Sequence, residues 1–304
     1  MQRTTGQNGA EHMESTMTAG PILRGIEFAH PEGSVPLLLD LYLPAGASAG
    51  TTFPAVVHFH GGGWRTGERS SLGPTVDGFG LGPIEQLVDA GFVVASADYR
   101  LSAVATFPAQ ILDAKAAVRW LRAHSADYGV DPDRIYAWGD SAGGHLASLV
   151  GLTAGVEGFG EPGTTDDDVA AVAAWYPPTD LVRMGGQARP DAVARADDPG
   201  SREALLLGAQ PSEAPDKAAA ASPITYVHAG APPFFLAHGA ADRFVPAAQS
   251  ATLAEALEGA GAAVELLLVE DADHMWSQPD GGTAAAVQAT AATIDFFRRQ
   301  AHDS

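Results

Sequence analysis

The chain reads as an α/β protein with one open, mostly parallel sheet and helices on both faces. Three observations carry that reading. Short apolar runs alternate with stretches of helical period, no segment repeats, and two glycine-rich turns each follow an apolar run. Such alternation implies parallel strands joined by right-handed crossovers.

The elements follow in order. The polar stretch 1–20, holding Met1, Met13 and Met17, is read as a tail outside the fold. Leucines at 37, 39, 41 and 43 alternate with Leu38, Asp40 and Tyr42, so residues 36–43 are expected as a strand at a sheet edge. Residues 55–60 and 92–97 are apolar runs of buried-strand type. After Pro108, Ile111, Ala114, Val118 and Leu121 recur at helical spacing; Lys115, Arg119 and Arg122 fall on the other face, which is expected to be solvated. Residues 131–139 turn into a strand, and the small residues of 142–151 suit a buried helix. Further strands are expected at 169–175, 233–238 and 263–269, with helices at 247–260 and 282–298. The weakly periodic segment 181–222, rich in Ala, Asp, Pro and Gly, reads as an insertion beside the substrate pocket of one domain spanning 21–304.

Composition narrows the chemistry. With 304 residues, 46% of them hydrophobic, the chain can bury a large core. Acidic residues outnumber basic ones 37 to 17, and the net charge of −20 repels nucleic acid and anionic lipid. The absence of cysteine removes disulfides, thiolate metal sites and a cysteine nucleophile. There is no run of 18 apolar residues and no apolar secretory stretch in the first 20, so a soluble cytoplasmic protein without a membrane span is expected. No heptad or edge strand marks a surface for a partner chain, and no metal or cofactor is expected.

The strongest signal is Gly139-Asp-Ser-Ala-Gly143, a Gly-x-Ser-x-Gly run between an expected strand and an expected helix. A serine on so sharp a turn needs glycine two residues to either side, because side chains there collide with the neighbouring strand and helix. Ser141 is therefore the expected nucleophile. Acyl transfer also develops an alkoxide that needs preorganised donors. The run His60-Gly-Gly-Gly-Trp64 follows an earlier strand toward the same sheet end, and the N–H groups of Gly62, Gly63 and Ala142 are the expected oxyanion donors. His60 is given a structural role in that loop, since no carboxylate or histidine nearby in sequence supports a metal reading.

A serine needs an imidazole to take its proton and a carboxylate to fix the ring. Two late loops leave expected strands: one carries His238 and Asp242, the other Asp271, Asp273 and His274. The order Ser141, Asp242, His274 is that of successive loops converging on one sheet end. Asp271 or Asp273 in place of Asp242 is the weaker choice, as residues so close to His274 seldom reach the far ring nitrogen. His124, His145 and His238 are expected to be structural, and Asp98, Arg100 and Asp140 to be scaffolding. Trp64 and Trp276 are expected substrate contacts, with Tyr99 and Tyr176 as further pocket candidates.

On His60-Gly-Gly-Gly-Trp64 and Gly139-Asp-Ser-Ala-Gly-Gly144 the chain resembles the α/β-hydrolase superfamily, and within it the hormone-sensitive-lipase-type carboxylesterases. Phe107-Pro-Ala-Gln110, Ala116-Ala-Val-Arg-Trp-Leu-Arg122 and Gly129-Val-Asp-Pro-Asp-Arg-Ile135 look like bacterial esterases grouped with feruloyl esterases and kynurenine formamidases. The acid loop, Asp242-Arg-Phe-Val-Pro246, departs from the Asp-Pro-Leu of the lipase type and is closer to the feruloyl-esterase-like group. The resemblance implies the same assignments: Ser141 as nucleophile, Asp242 as acid, His274 as base, and Gly62, Gly63 and Ala142 as donors. The expected activity is hydrolysis of small carboxylic esters, of short to medium acyl or aryl type, through an acyl-enzyme. Amide hydrolysis, as by an arylformamidase, is the alternative with the same residues, and a non-catalytic small-molecule binder is the alternative from another class.

Overall fold

Eight strands form one sheet in the order β1-β2-β4-β3-β5-β6-β7-β8. In the computed structural model, which describes residues 20–47, 50–77, 81–160 and 166–302, the strands are β1 (Ile22–Ala29), β2 (Leu37–Tyr42), β3 (Phe53–Phe59), β4 (Val93–Ala97), β5 (Val130–Asp140), β6 (Val172–Trp175), β7 (Phe234–Gly239) and β8 (Val264–Val269). β1 runs antiparallel to β2 and β2 antiparallel to β4; every pairing from β4 through β3 to β8 is parallel. The expected tail lies outside the described residues except for Gly20.

The helices are α1 (Pro83–Asp89), α2 (Ala109–Ala123), α3 (Ser125–Tyr128), α4 (Ala142–Leu152), α5 (Met184–Gln187), α6 (Arg202–Leu207), α7 (Pro215–Ala220), α8 (Ala248–Ala260) and α9 (Ala284–His302). Two cores result, one on each side of the sheet. Ile111, Val118, Leu146, Leu149, Leu253 and Leu257 bring α2, α4 and α8 onto one face. Ile84, Leu87, Ala289, Phe296 and Phe297 bring α1 and α9 onto the other. Both faces of the central strands are thus removed from water, which explains their unbroken apolar runs.

Two expectations need correction. Residues 36–43 do not form the sheet edge: β2 lies between β1 and β4, and β1 is the edge. β1 escapes a periodicity search because Gly25 takes φ +68° and the register with β2 slips on either side of Ile26–Glu27, so its alternation is broken. The cationic face of α2 is not solvated either. Lys115 is 1% exposed and donates to the Thr153 carbonyl at 2.6 Å and to Asp167 at 3.2 Å, while Arg119 reaches the other Asp167 oxygen at 3.1 Å. Burial pushes the Lys115 pKa down, with the Asp167 charge opposing. Residues 166–168 cover this face, because Arg122 also donates to the Asp166 and Asp168 carbonyls. The segment 181–222 holds α5, α6 and α7, each too short to show a period. Among the described residues no helix is long and apolar enough to cross a membrane.

Candidate active site

β5 ends at Asp140, α4 begins at Ala142, and Ser141 between them holds φ 52°, ψ −114°, a sparsely populated conformation for a residue with a side chain. The Ser141 N–H donates to the Trp175 carbonyl at 2.8 Å, and the Ser141 carbonyl accepts from His145 at 2.9 Å. A Cβ on Gly139 would lie 2.3 Å from the Gly143 carbonyl carbon, and one on Gly143 would lie 1.9 Å from the Phe59 oxygen. Both glycines are therefore sterically required, as expected.

The loop after β3 reaches the same sheet end. Gly62 and Gly63 take φ +112° and +62°, and the Gly62 carbonyl is occupied by the Arg65 and Thr66 N–H groups, each at 3.2 Å. Among the described residues the N–H groups of Gly62, Gly63 and Ala142 donate to no other protein group. His60 is buried and stacks on Tyr99 with ring centroids 4.4 Å apart. Its Nδ1 donates to the Gly61 carbonyl at 2.7 Å, the Tyr99 hydroxyl donates to the His60 carbonyl at 2.9 Å, and burial pushes the His60 pKa down. This neutral, doubly anchored ring shapes the loop.

The two late loops bring their side chains to Ser141. His274 Nε2 lies 3.0 Å from Ser141 Oγ, and His274 Nδ1 lies 2.7 Å from Asp242 Oδ2. Asp242 Oδ1 accepts from the Phe244 and Val245 N–H groups, both at 2.8 Å. His238, expected to be only structural, also reaches this carboxylate: its Nε2 lies 3.3 Å from Asp242 Oδ2 and donates to the Val245 carbonyl at 2.9 Å, while its Nδ1 accepts from Ser250 at 2.7 Å. Burial disfavours the Asp242 charge, yet the charge of His274 and hydrogen bonds from His238 and His274 outweigh it and hold the pKa well below the usual carboxylate range. Asp273 does not touch the imidazole. It accepts from the His274 and Arg243 N–H groups and pairs with the Arg243 guanidinium at 2.6 Å, which ties the base loop to the acid loop.

These groups open into a cavity of about 160 Å³ that Ser141, Ala142, His274, Gly62 and Gly63 line together. Trp64 lines it too, though nearly buried; its indole N–H donates to His145 Nδ1 at 3.2 Å. His145 passes the link on, donating from Nε2 to the Ala221 carbonyl at 2.6 Å, and burial pushes its pKa down to about 4. Trp276 is a correction. Met275 and Trp276 both take positive φ, 56° and 61°, which turns the indole into the core against Trp175 and Tyr176 and leaves Met275 on the cavity. Tyr176 is buried with its ring against His274, at 4.7 Å between centroids, and Tyr99 serves the His60 loop, so neither lines the cavity. Asp98 pairs with Arg69 and Arg100 with Asp113, which is scaffolding as expected. Among the described residues no three His, Asp or Glu side chains gather to hold a metal. Sequence reasoning missed Phe244, Arg195 and Arg202 in the cavity wall. Only the place of Phe244 two residues after Asp242 offered a signal; the arginines lie in the segment without a period.

An eight-stranded, mostly parallel sheet with serine, aspartate and histidine on loops after β5, β7 and β8 defines an α/β-hydrolase. The sequence pattern of the BD-FAE family matches residues 39–257, and the chain belongs to that family. It is 36% identical over 232 residues to esterase LipQ of Mycobacterium tuberculosis (strain ATCC 25618 / H37Rv), an alignment that covers 74% of this chain and 51% of LipQ. The chain thus spans about half the length of that curated relative. Among solved structures, a truncated carbohydrate esterase from gut microbiota superposes with a TM-score of 0.77 at 28% identity, covering 94% of this chain and 98% of the other. The thermophilic esterase Est2 of Thermogutta terrifontis, solved with propionate bound, gives 0.72 at 29% identity, covering 93% and 95%.

Proposed function

We propose that this chain hydrolyses carboxylic esters of small acyl groups, with Ser141 as nucleophile, His274 as base, Asp242 as the carboxylate that orients it, and the Gly62, Gly63 and Ala142 N–H groups as oxyanion donors. The observation that carries the proposal is the continuous hydrogen-bonded line from Ser141 Oγ through His274 to Asp242. As Ser141 Oγ attacks the acyl carbon, its proton passes to His274 Nε2, and the carbonyl oxygen becomes an alkoxide facing the three amides. Collapse breaks the ester C–O bond, and the departing alkoxide takes the proton from His274. A water then gives a proton to His274 and adds to the acyl carbon, and release of the acid restores the Ser141 hydroxyl. Asp242, held ionised, stabilises the imidazolium in both halves.

Three features support the ester and its size. LipQ, Est2 and the gut carbohydrate esterase all carry esterase in their names. Est2 binds propionate, and the cavity here, about 160 Å³, suits a group of that order. The test is a series of nitrophenyl esters from acetyl to dodecanoyl on the purified chain and on Ser141→Ala. Turnover that peaks at short acyl groups and vanishes in Ser141→Ala is expected. Turnover that persists in Ser141→Ala, or peaks at the longest chains, rejects the proposal.

A further inference from the structure

The cavity has a charge that the rest of the molecule lacks. Every described arginine outside it, from Arg24 to Arg299, lies 3.9 Å or closer to a carboxylate oxygen. Arg65, Arg195 and Arg202 have no carboxylate partner among the described residues, and all three line the cavity that holds Ser141 and His274. In a chain with 37 acidic residues and a net charge of −20, an arginine finds a carboxylate easily. Three left unpaired around one cavity are a selected arrangement rather than a shortage of partners.

Their placement gives the arrangement direction. A Cβ on Gly63 would lie 2.2 Å from Arg202 Cδ, so this side chain rests directly on the loop proposed to hold the oxyanion. The Arg202 guanidinium stands 5.5 Å from the centre of the Phe244 ring, and Phe244 lies 5.4 Å from the His274 ring. Arg65 follows Trp64 in the same loop, and Arg195 is exposed on the crossover between β6 and β7. Two carboxylates share the cavity wall, Asp140 and Glu203. Neither forms an ion pair with an arginine among the described residues, and Asp140 lies buried 3.6 Å from His58 instead. Arginine offers a planar set of donors suited to a carboxylate.

We infer that the site selects esters that carry a second, ionised carboxylate, which Arg202 binds with help from Arg65 and Arg195. This rests on the proposed ester hydrolysis and names its substrate class. The carboxylate can belong to the acyl part or to the alcohol part, and paired substrates distinguish the two. Monophenyl glutarate is compared with its neutral methyl phenyl diester, and the butyrate ester of 3-hydroxybenzoate with phenyl butyrate, phenol release being the readout. Preference in kcat/KM of about tenfold or more is expected for one anionic member, the value of one charged hydrogen bond. That ratio is expected to fall toward one in Arg202→Gln, to fall less in Arg65→Gln and Arg195→Gln, and to be partly kept in Arg202→Lys. Calorimetric binding of the same four esters to Ser141→Ala reads the subsite without turnover and is expected to show the same order. Equal affinity of Ser141→Ala for charged and neutral partners, or a ratio unmoved by Arg202→Gln, overturns the inference. Failure of the parent chain to release phenol from any of the four, with the affinity order intact, instead rejects ester hydrolysis and leaves the anionic subsite standing.

Discussion

The wall of the cavity made by the loops after β3 and β5 is set by backbone, whereas the wall contributed by the crossover between β6 and β7 is set by side chains. In the first, Gly62 and Gly63 take positive φ angles, and Gly139 and Gly143 make approaches that admit no Cβ. In the second, Arg195 and Arg202 project from residues joined by short helices. His145 joins the two, accepting from Trp64 on one side and donating to the Ala221 carbonyl on the other. On the proposed function, the difference separates what the chemistry would require of any ester from what would select one. Backbone geometry tolerates no substitution, while side chains on a crossover can vary without disturbing the sheet.

Substitutions on the two sides sharpen that contrast. Ser141→Ala is expected to lower kcat by on the order of 10⁵–10⁶, measured on a short nitrophenyl ester, with unfolding by urea unchanged. Asp242→Asn comes next, with a loss of about 10⁴ in kcat, because the imidazole then adopts the wrong tautomer. Gly143→Ala forces a Cβ onto the Phe59 carbonyl, and a loss of more than about 3 kcal/mol in urea stability is expected along with activity. A stable, active Gly143→Ala protein would break the claim that backbone sets this wall. Lys115→Met serves as the control away from both walls: it leaves buried Asp167 with only Arg119 and is expected to remove about 3 kcal/mol of stability while kcat stays within about twofold.

The effect spread over the widest pH range, about 1.4 kcal/mol at each unit, concerns the joint. His145 is neutral in the folded chain with a pKa near 4, below the 6.5 of an unperturbed ring. As pH falls below about 6.5 the unfolded chain takes up this proton first, so stability is lost at about 1.4 kcal/mol per pH unit and levels off below the folded pKa. Urea titrations between those limits are expected to show a shallower slope in His145→Gln than in the parent chain, the remainder coming in part from His60, whose pKa burial also lowers. Equal slopes would show that the joint does not titrate as described.

The same division explains what was legible in the sequence. The elbow at Ser141 and the glycines after His60 were readable because each rests on a local backbone demand that only certain residues meet, and Asp242 and His274 because each lies on a loop that follows an expected strand in chain order. The direction of Trp276 was not, since positive φ at two consecutive residues, neither of them glycine, reversed the side chains of Met275 and Trp276. Nor was the burial of Lys115, which depends on residues 166–168 folding across α2 from far along the chain. His238 went unrecognised as a second donor to Asp242 because its role depends on how the acid loop curls back on β7. α1 hid in a polar stretch, its Pro83 at the first turn being the one local sign.

The proposed mechanism requires that Ser141 carry the acyl group during turnover. Mixing the protein with a nitrophenyl ester, quenching in acid during turnover and mapping the peptides by mass spectrometry tests it directly. One acyl group on the peptide holding Ser141, absent from Ser141→Ala and accumulating in the burst phase, is the predicted result. Steady hydrolysis with that peptide unmodified, or with the acyl group on another residue, would contradict it.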